Sequence, residues 1–93
     1  MKKRNRLEII RDILNVIRAK NGKIKPTHIL YKSNLSHSMM EEYMTELKEK
    51  EFITEKLLAG KKTYAITEKG IEYLHKYQLI ADFTQSFGLE EEG

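Results

Sequence analysis

The chain is 93 residues long, 33% charged, free of cysteine, and carries a formal net charge of +3. That length supports one modest core and excludes a deep catalytic cleft with its own lid, so a single domain over residues 1–93 is expected. Lack of cysteine removes disulfides and thiolate zinc sites and makes a reducing cytoplasm the expected location; no apolar run nears the roughly 20 residues of a membrane span, and the basic start MKKRNR leads into a charge-broken helix rather than a signal-peptide core.

The first element is a helix over about Arg4 to Lys20. Leu7, Ile10, Ile13, Leu14 and Ile17 recur at helical spacing, Ile9 and Val16 widen the stripe, and Asn21-Gly22 closes it. Arg4, Arg11 and Arg18 stand seven apart in one row on its polar side, which reads first as a solvated face. Lys23-Ile24-Lys25 is a short extended link, because Pro26 disfavours a helical residue before it and suits the first turn of a helix after it. The second helix carries Ile29 and Leu30 inward and ends by Ser33-Asn34, whose side chains compete for backbone hydrogen bonds. Leu35 plugs the turn. Ser36 caps a third helix, in which Met40, Met44 and Leu47 face the core with Tyr43 beside them.

After Lys50 the period changes. Residues 52–58 and 62–66, joined through Ala59-Gly60-Lys61, read as a β-hairpin with Tyr64 and Ile66 on one face. Thr67 caps the last helix, Glu68 complements its dipole, and the helix runs to about Phe87, ahead of an acidic tail over 89–93 that is expected to be disordered. The fold class is mainly α with a small β-hairpin: a winged helix-turn-helix over 4–66 and an extended C-terminal helix over 67–88.

The run IKPTHILYKSNLSHSMMEEYMTELKEKEFI, followed by YAITEKG, resembles the small archaeal winged-helix DNA-binding proteins of the Sulfolobus "ten-a" type over about Leu7 to Tyr77. The resemblance is carried by Leu35-Ser36 at the turn, Tyr43, Leu47, Phe52-Ile53 entering the wing and Tyr64 to Gly70 leaving it. Glu51 departs from it, standing where such proteins commonly have Gly. The resemblance implies homodimers joined by their C-terminal helices as an antiparallel coiled coil, each protomer offering a winged helix to duplex DNA. Independently, Tyr73, Tyr77, Ile80, Thr84 and Phe87 are spaced 4-3-4-3, a seam for a partner helix, while Ile71 and Leu74 suit the protomer's own core. The other reading is that Tyr77, Ile80 and Phe83 fold back onto the first helix.

Charge bears on DNA through its distribution. Residues 1–40 hold ten Lys/Arg and two acids, net +8, whereas residues 41–93 hold seven against twelve, net −5. From Ser36 to Glu51, however, five carboxylates face two lysines, which phosphate should repel. A division of labour resolves the conflict, because base edges are reached by the start of the recognition helix while other elements grip phosphate. Ser36, His37, Ser38 and Met39 form a neutral first turn with the positive end of the helix dipole behind it, and Thr45 is a further groove-facing side chain. Glu41 and Glu42 fall one turn in, where a carboxylate either accepts from cytosine N4 or repels the backbone. Phosphate contacts are expected from Lys23, Lys25, Thr27, His28, Tyr31 and Lys32 around the second helix and from Lys61-Lys62 at the wing.

Enzyme signatures are missing from the sequence. His28, His37 and His75 lack metal-ligand spacing, the five glycines form no phosphate loop, and the carboxylates lie on helices with no apolar pocket to raise a pKa. The expectation is therefore a non-catalytic chain needing no cofactor or metal. Its partner is double-stranded DNA or, in the alternative, a basic protein docked by the acidic third helix.

Overall fold

The structure is a computed structural model, and it describes residues 4–89. Its elements are α1 (Arg6–Ala19), α2 (Pro26–Ser33), α3 (His37–Glu49), β1 (Ile53–Leu58), β2 (Lys61–Ile66) and α4 (Glu68–Ser86). The winged-helix order read from the sequence is present throughout; the acidic tail from residue 90 on lies outside the described residues.

α1 begins at Arg6, two residues after the expected start at Arg4. Asn5 and Glu8 form a reciprocal capping box, in which Asn5 Oδ1 accepts from the Glu8 N–H at 2.8 Å and Glu8 Oε1 from the Asn5 N–H at 3.0 Å. Ile13, Leu14 and Ile17 are fully buried, whereas Leu7, expected inside, is 53% exposed because it lies in the first turn, beyond the body of the core. α2 starts at Pro26 as read. Its end has a different cause: Ser33 is still helical and buried, and the turn is made by Asn34, whose left-handed φ of 54° lets the Leu35 N–H reach the Leu30 carbonyl at 3.1 Å. Asn tolerates that conformation better than other side chains except Gly.

The hairpin is antiparallel, with Ile53 opposite Ile66 and Leu58 opposite Lys61. Ala59 and Gly60 both have positive φ, 53° and 76°, as a two-residue turn that follows strand twist requires. β2 is buried from Thr63 through Ile66 without alternation, while β1 is buried only at Ile53. The asymmetry arises because β2 lies against both α1 and α2, leaving β1 as the outer strand. The link ahead of α2 also joins this layer: Ile24 pairs with Tyr64 as an isolated bridge, flanked by a Gly22 N–H to Tyr64 O bond of 2.9 Å. One core results, with Ile24, Ile29, Leu47 and Ile53 closing over α1.

The root of the wing fixes where α4 departs. The Thr67 hydroxyl sits 2.6 and 3.0 Å from the carbonyls of Glu51 and Phe52 and accepts from the Gly70 N–H at 3.1 Å. Gly70 is pressed so close to the turn that an added Cβ would meet Phe52 O at 2.5 Å and the Ile66 side chain at 2.6 Å. The Thr, acid, Gly pattern after the wing thus encodes a close approach. Glu51 itself has φ 61°, the left-handed conformation for which Gly is the usual residue, so α3 turns into the wing at this departure from the family pattern as a Gly would turn it.

Candidate nucleic-acid interface

α3 presents two faces. Met40, Met44 and Leu47 are buried, and helical spacing puts Ser38, Glu42, Thr45 and Glu49 opposite them, all exposed. At the N-terminus the Ser36 hydroxyl accepts from the Met39 N–H at 3.2 Å and lies 3.4 Å from the Ser38 hydroxyl, so the first turn is capped and polar. His37, Ser38 and Met39 remain exposed around it.

The five acids of this segment do not act alike. Glu46 turns to α1, accepting from Arg6 and, at 3.0 Å, from Lys50; these bonds, Lys50 first, hold its carboxyl below the ordinary carboxylate range. Arg6 also lies over the Tyr43 ring at 5.8 Å. Glu41 lines a cleft of about 270 Å³ with Pro26, Thr27, His37, Lys62 and Tyr64, between the starts of α2 and α3 and the wing. Glu51 is at the helix exit. Glu42 and Glu49 are left on the outward face.

The same cleft sorts the expected phosphate contacts. Thr27, His37 and Lys62 are brought together, whereas His28 and Lys32 lie on the opposite flank of α2, along a second cleft of about 260 Å³ shared with Asn15, Lys20 and Ile24. The predicted ring is therefore split by α2 into two banks. Lys23 and Lys25 flank the buried Ile24 and are exposed, as is Tyr31 at 77%. On the wing, Glu55 takes Lys48 at 3.0 Å and Lys62 at 3.7 Å, which depresses its pKa, mainly through Lys48. Lys61 makes no ion pair among the described residues.

The residues expected in the dimer seam divide as well. Tyr73 donates to the Leu7 carbonyl at 2.9 Å and meets Phe52 edge-on at 5.6 Å; Tyr77 stacks on Tyr73 and accepts from Arg11, whose guanidinium lies 5.0 Å over its ring. These two make contacts within their own protomer, so the 4-3 spacing at these positions is met at least in part by α1 and the wing root. Ile80, Phe83 and Phe87 do not fold back. They are 64%, 60% and 66% exposed, joined by Leu79 at 67%, and Thr84 between them bonds to the Ala81 carbonyl.

Sequence reasoning passed over two features and read a third, the arginine row of α1, as solvated. Arg6 clamps α3 to α1, and the Asn5-Glu8 box was the available signal that Arg6 begins the helix. The row of Arg4, Arg11 and Arg18 is engaged internally: Arg4 and Arg11 pair with Asp12 at 2.8 and 3.0 Å, and Arg18 bonds to Asn15. Leu57 and Leu58, at the wing tip, are 78% and 51% exposed. Their position beside Ala59-Gly60 was legible, but their exposure depended on β1 being the outer strand.

Among the described residues no cluster of His, Cys, Asp or Glu could hold a metal, and no helix is long and apolar enough to cross a membrane. Two helices joined by a tight turn, then a hairpin, define the winged-helix class of DNA-binding folds. A family model described as winged helix-turn-helix matches residues 3–85, and the chain belongs to that family. Among solved structures it is similar to Sso10a-2, a DNA-binding protein from Sulfolobus solfataricus, at 23% identity over 90% of this chain and 85% of that one, with a TM-score of 0.75. It is also similar to F-93 of SSV1, at 18% identity over 86% and 88% of the two chains, TM-score 0.66. MepR of S. aureus, solved as a complex with DNA, matches at 16% identity over 89% of this chain and 63% of its own, TM-score 0.68, so the chain spans less than two thirds of that protein. No curated protein sequence matches.

Proposed function

We propose that the chain is a single-domain, dimeric winged-helix protein that binds double-stranded DNA in the cytoplasm, as a transcriptional regulator or a nucleoid-associated protein of an archaeal cell or its genetic elements. α3 enters the major groove with Ser36, His37, Ser38 and Met39 leading and Glu42 and Thr45 behind them. Lys23, Lys25, Thr27, His28, Tyr31 and Lys32 hold phosphate on the two flanks of α2, and Lys61 and Lys62 hold it from the wing. The distal part of α4, with Ile80, Phe83, Thr84 and Phe87, joins two protomers and sets the distance between half-sites.

The observation that carries this reading is the polar, exposed first turn of α3, whose His37 lies beside Thr27 and Lys62 in one cleft, while Glu46 is drawn away to Arg6 and Lys50. DNA binding by Sso10a-2 and MepR, which share the fold, supports it. The second reading, a module whose α3 docks a basic protein, is favoured by Glu42 and Glu49 on the outward face.

Fluorescence-anisotropy titration of duplex DNA at low and moderate salt separates the two. If six of these contacts per protomer neutralise a phosphate, the log–log salt slope is about −5. Lys61→Glu with Lys62→Glu is expected to weaken binding at least tenfold; no duplex binding by the native chain even at low salt would sink the proposal.

A further inference from the structure

The exposed apolar stretch of α4 runs into charges that it does not explain. Ile80, Phe83 and Phe87 are exposed, and so is Lys76, one turn before Ile80 on the same face. Beside Lys76, His75 and Gln78 join Arg11, Asn15 and Arg18 of α1 in a cleft of about 250 Å³. The carboxylates at this end are already engaged, Glu72 by Lys76 at 3.1 Å and Asp12 by Arg4 and Arg11 at 2.8 and 3.0 Å. Arg18 bonds the neutral amide of Asn15. A group of cations thus closes one end of the apolar stretch, and past its other end the chain continues into Glu90-Glu91-Glu92.

We propose that this basic end is the docking site for the acidic segment 90–92 of a second copy, so that each dimer carries two such contacts. This rests on the dimer reading above. Two antiparallel helices centred on the stretch 80–87 set Ile80 level with the partner's Phe87, and the same register brings the partner's Leu89 to the level of Gln78. There the chain is turned off the helix axis. Gly88, at φ 69°, donates to the Gln85 carbonyl at 3.1 Å, and the Leu89 N–H reaches back to Thr84 O at 2.7 Å. Four residues, 89–92, reach at most about 14 Å, against about 6 Å of helix axis between Leu74 and Gln78. That reach takes the three carboxylates over Lys76 and His75 and toward Arg18. A parallel pair would instead set two glutamate runs side by side, so the contact fixes the sense of the pairing as well as its strength. A phosphate backbone would meet the same cations but not the apolar stretch that leads into them.

The test is the dimer dissociation constant of the full-length chain, measured by sedimentation at low and high salt. Glu90→Gln/Glu91→Gln/Glu92→Gln should weaken the dimer about tenfold or more at low salt, since two segments lose their partners at once. Native and variant values should converge near 1 M salt, where the screening length falls to about 3 Å. Arg18→Glu/Lys76→Glu should weaken the dimer at least as much as the glutamine changes do. In that background Glu90→Lys/Glu91→Lys/Glu92→Lys should restore association to within about threefold of native, because the reversed charges pair again. Restoration separates lost pairing from misfolding, which a reversed tail could not repair. A native dimer whose dissociation ignores the tail at low salt, or a reversed tail that restores nothing, overturns the docking and leaves the dimer standing. A native chain that stays monomeric overturns both.

Discussion

The two ends of α4 meet opposite surroundings. Its first two turns are gripped: Thr67 is bonded to the wing root, Gly70 lies against the Phe52 carbonyl, Leu74 is buried and Tyr73 reaches the α1 backbone. Its last turns carry Leu79, Ile80, Phe83 and Phe87, all at least 60% exposed. One helix thus holds a packed apolar face and an exposed one. An apolar side chain in the first half packs against other elements of this protomer, whereas in the second half Phe83 and Phe87 meet each other, ring centroids 5.0 Å apart, and stay exposed. That difference is why periodicity alone could not divide the seam.

The most drastic way to break the comparison is Ile80→Glu with Phe87→Glu. Light scattering should give a native mass of two chains and a variant mass of one, with dissociation strengthened by more than about a hundredfold, since two charges would enter an apolar contact. A native monomer would end the coiled-coil proposal, and a variant that melted as a monomer would show that the distal half serves its own fold. On the gripped half, Gly70→Ala should cost about 1–3 kcal/mol, because the new methyl must displace backbone at Phe52; urea unfolding measures it, and a neutral result would mean the grip is loose. The smallest effect is a gain. Glu51→Gly relieves the left-handed conformation at the wing root and should stabilise by about 0.5–1 kcal/mol, with thermal and urea unfolding as the readout.

Much of the fold could be read before the structure, and the legible parts share a cause. Ser36 and Thr67 as caps, Pro26 at a helix start and Gly60 in a turn are local rules, satisfied within a few residues. What escaped were long-range facts. Ser33 looked like a breaker and proved to be a buried helix terminus, because burial depends on what packs above it. Four consecutive buried residues in β2 defeat alternation, because α1, α2 and α4 all lie against that strand. Of the candidate interface, the neutral first turn of α3 was readable from composition, but the splitting of the lysine ring by α2 and the capture of Glu46 by Arg6 required partners distant in the chain.

The bridge between Ile24 and Tyr64 has a consequence for how such a protein could change its target. Lys23 and Lys25 stand on either side of a residue whose backbone is hydrogen-bonded to the strand that carries Lys61 and Lys62. The spacing between these two pairs of cations is held by main chain, which substitution does not alter. Mutation can therefore exchange the charged tips one at a time while the frame that carries them stays in register.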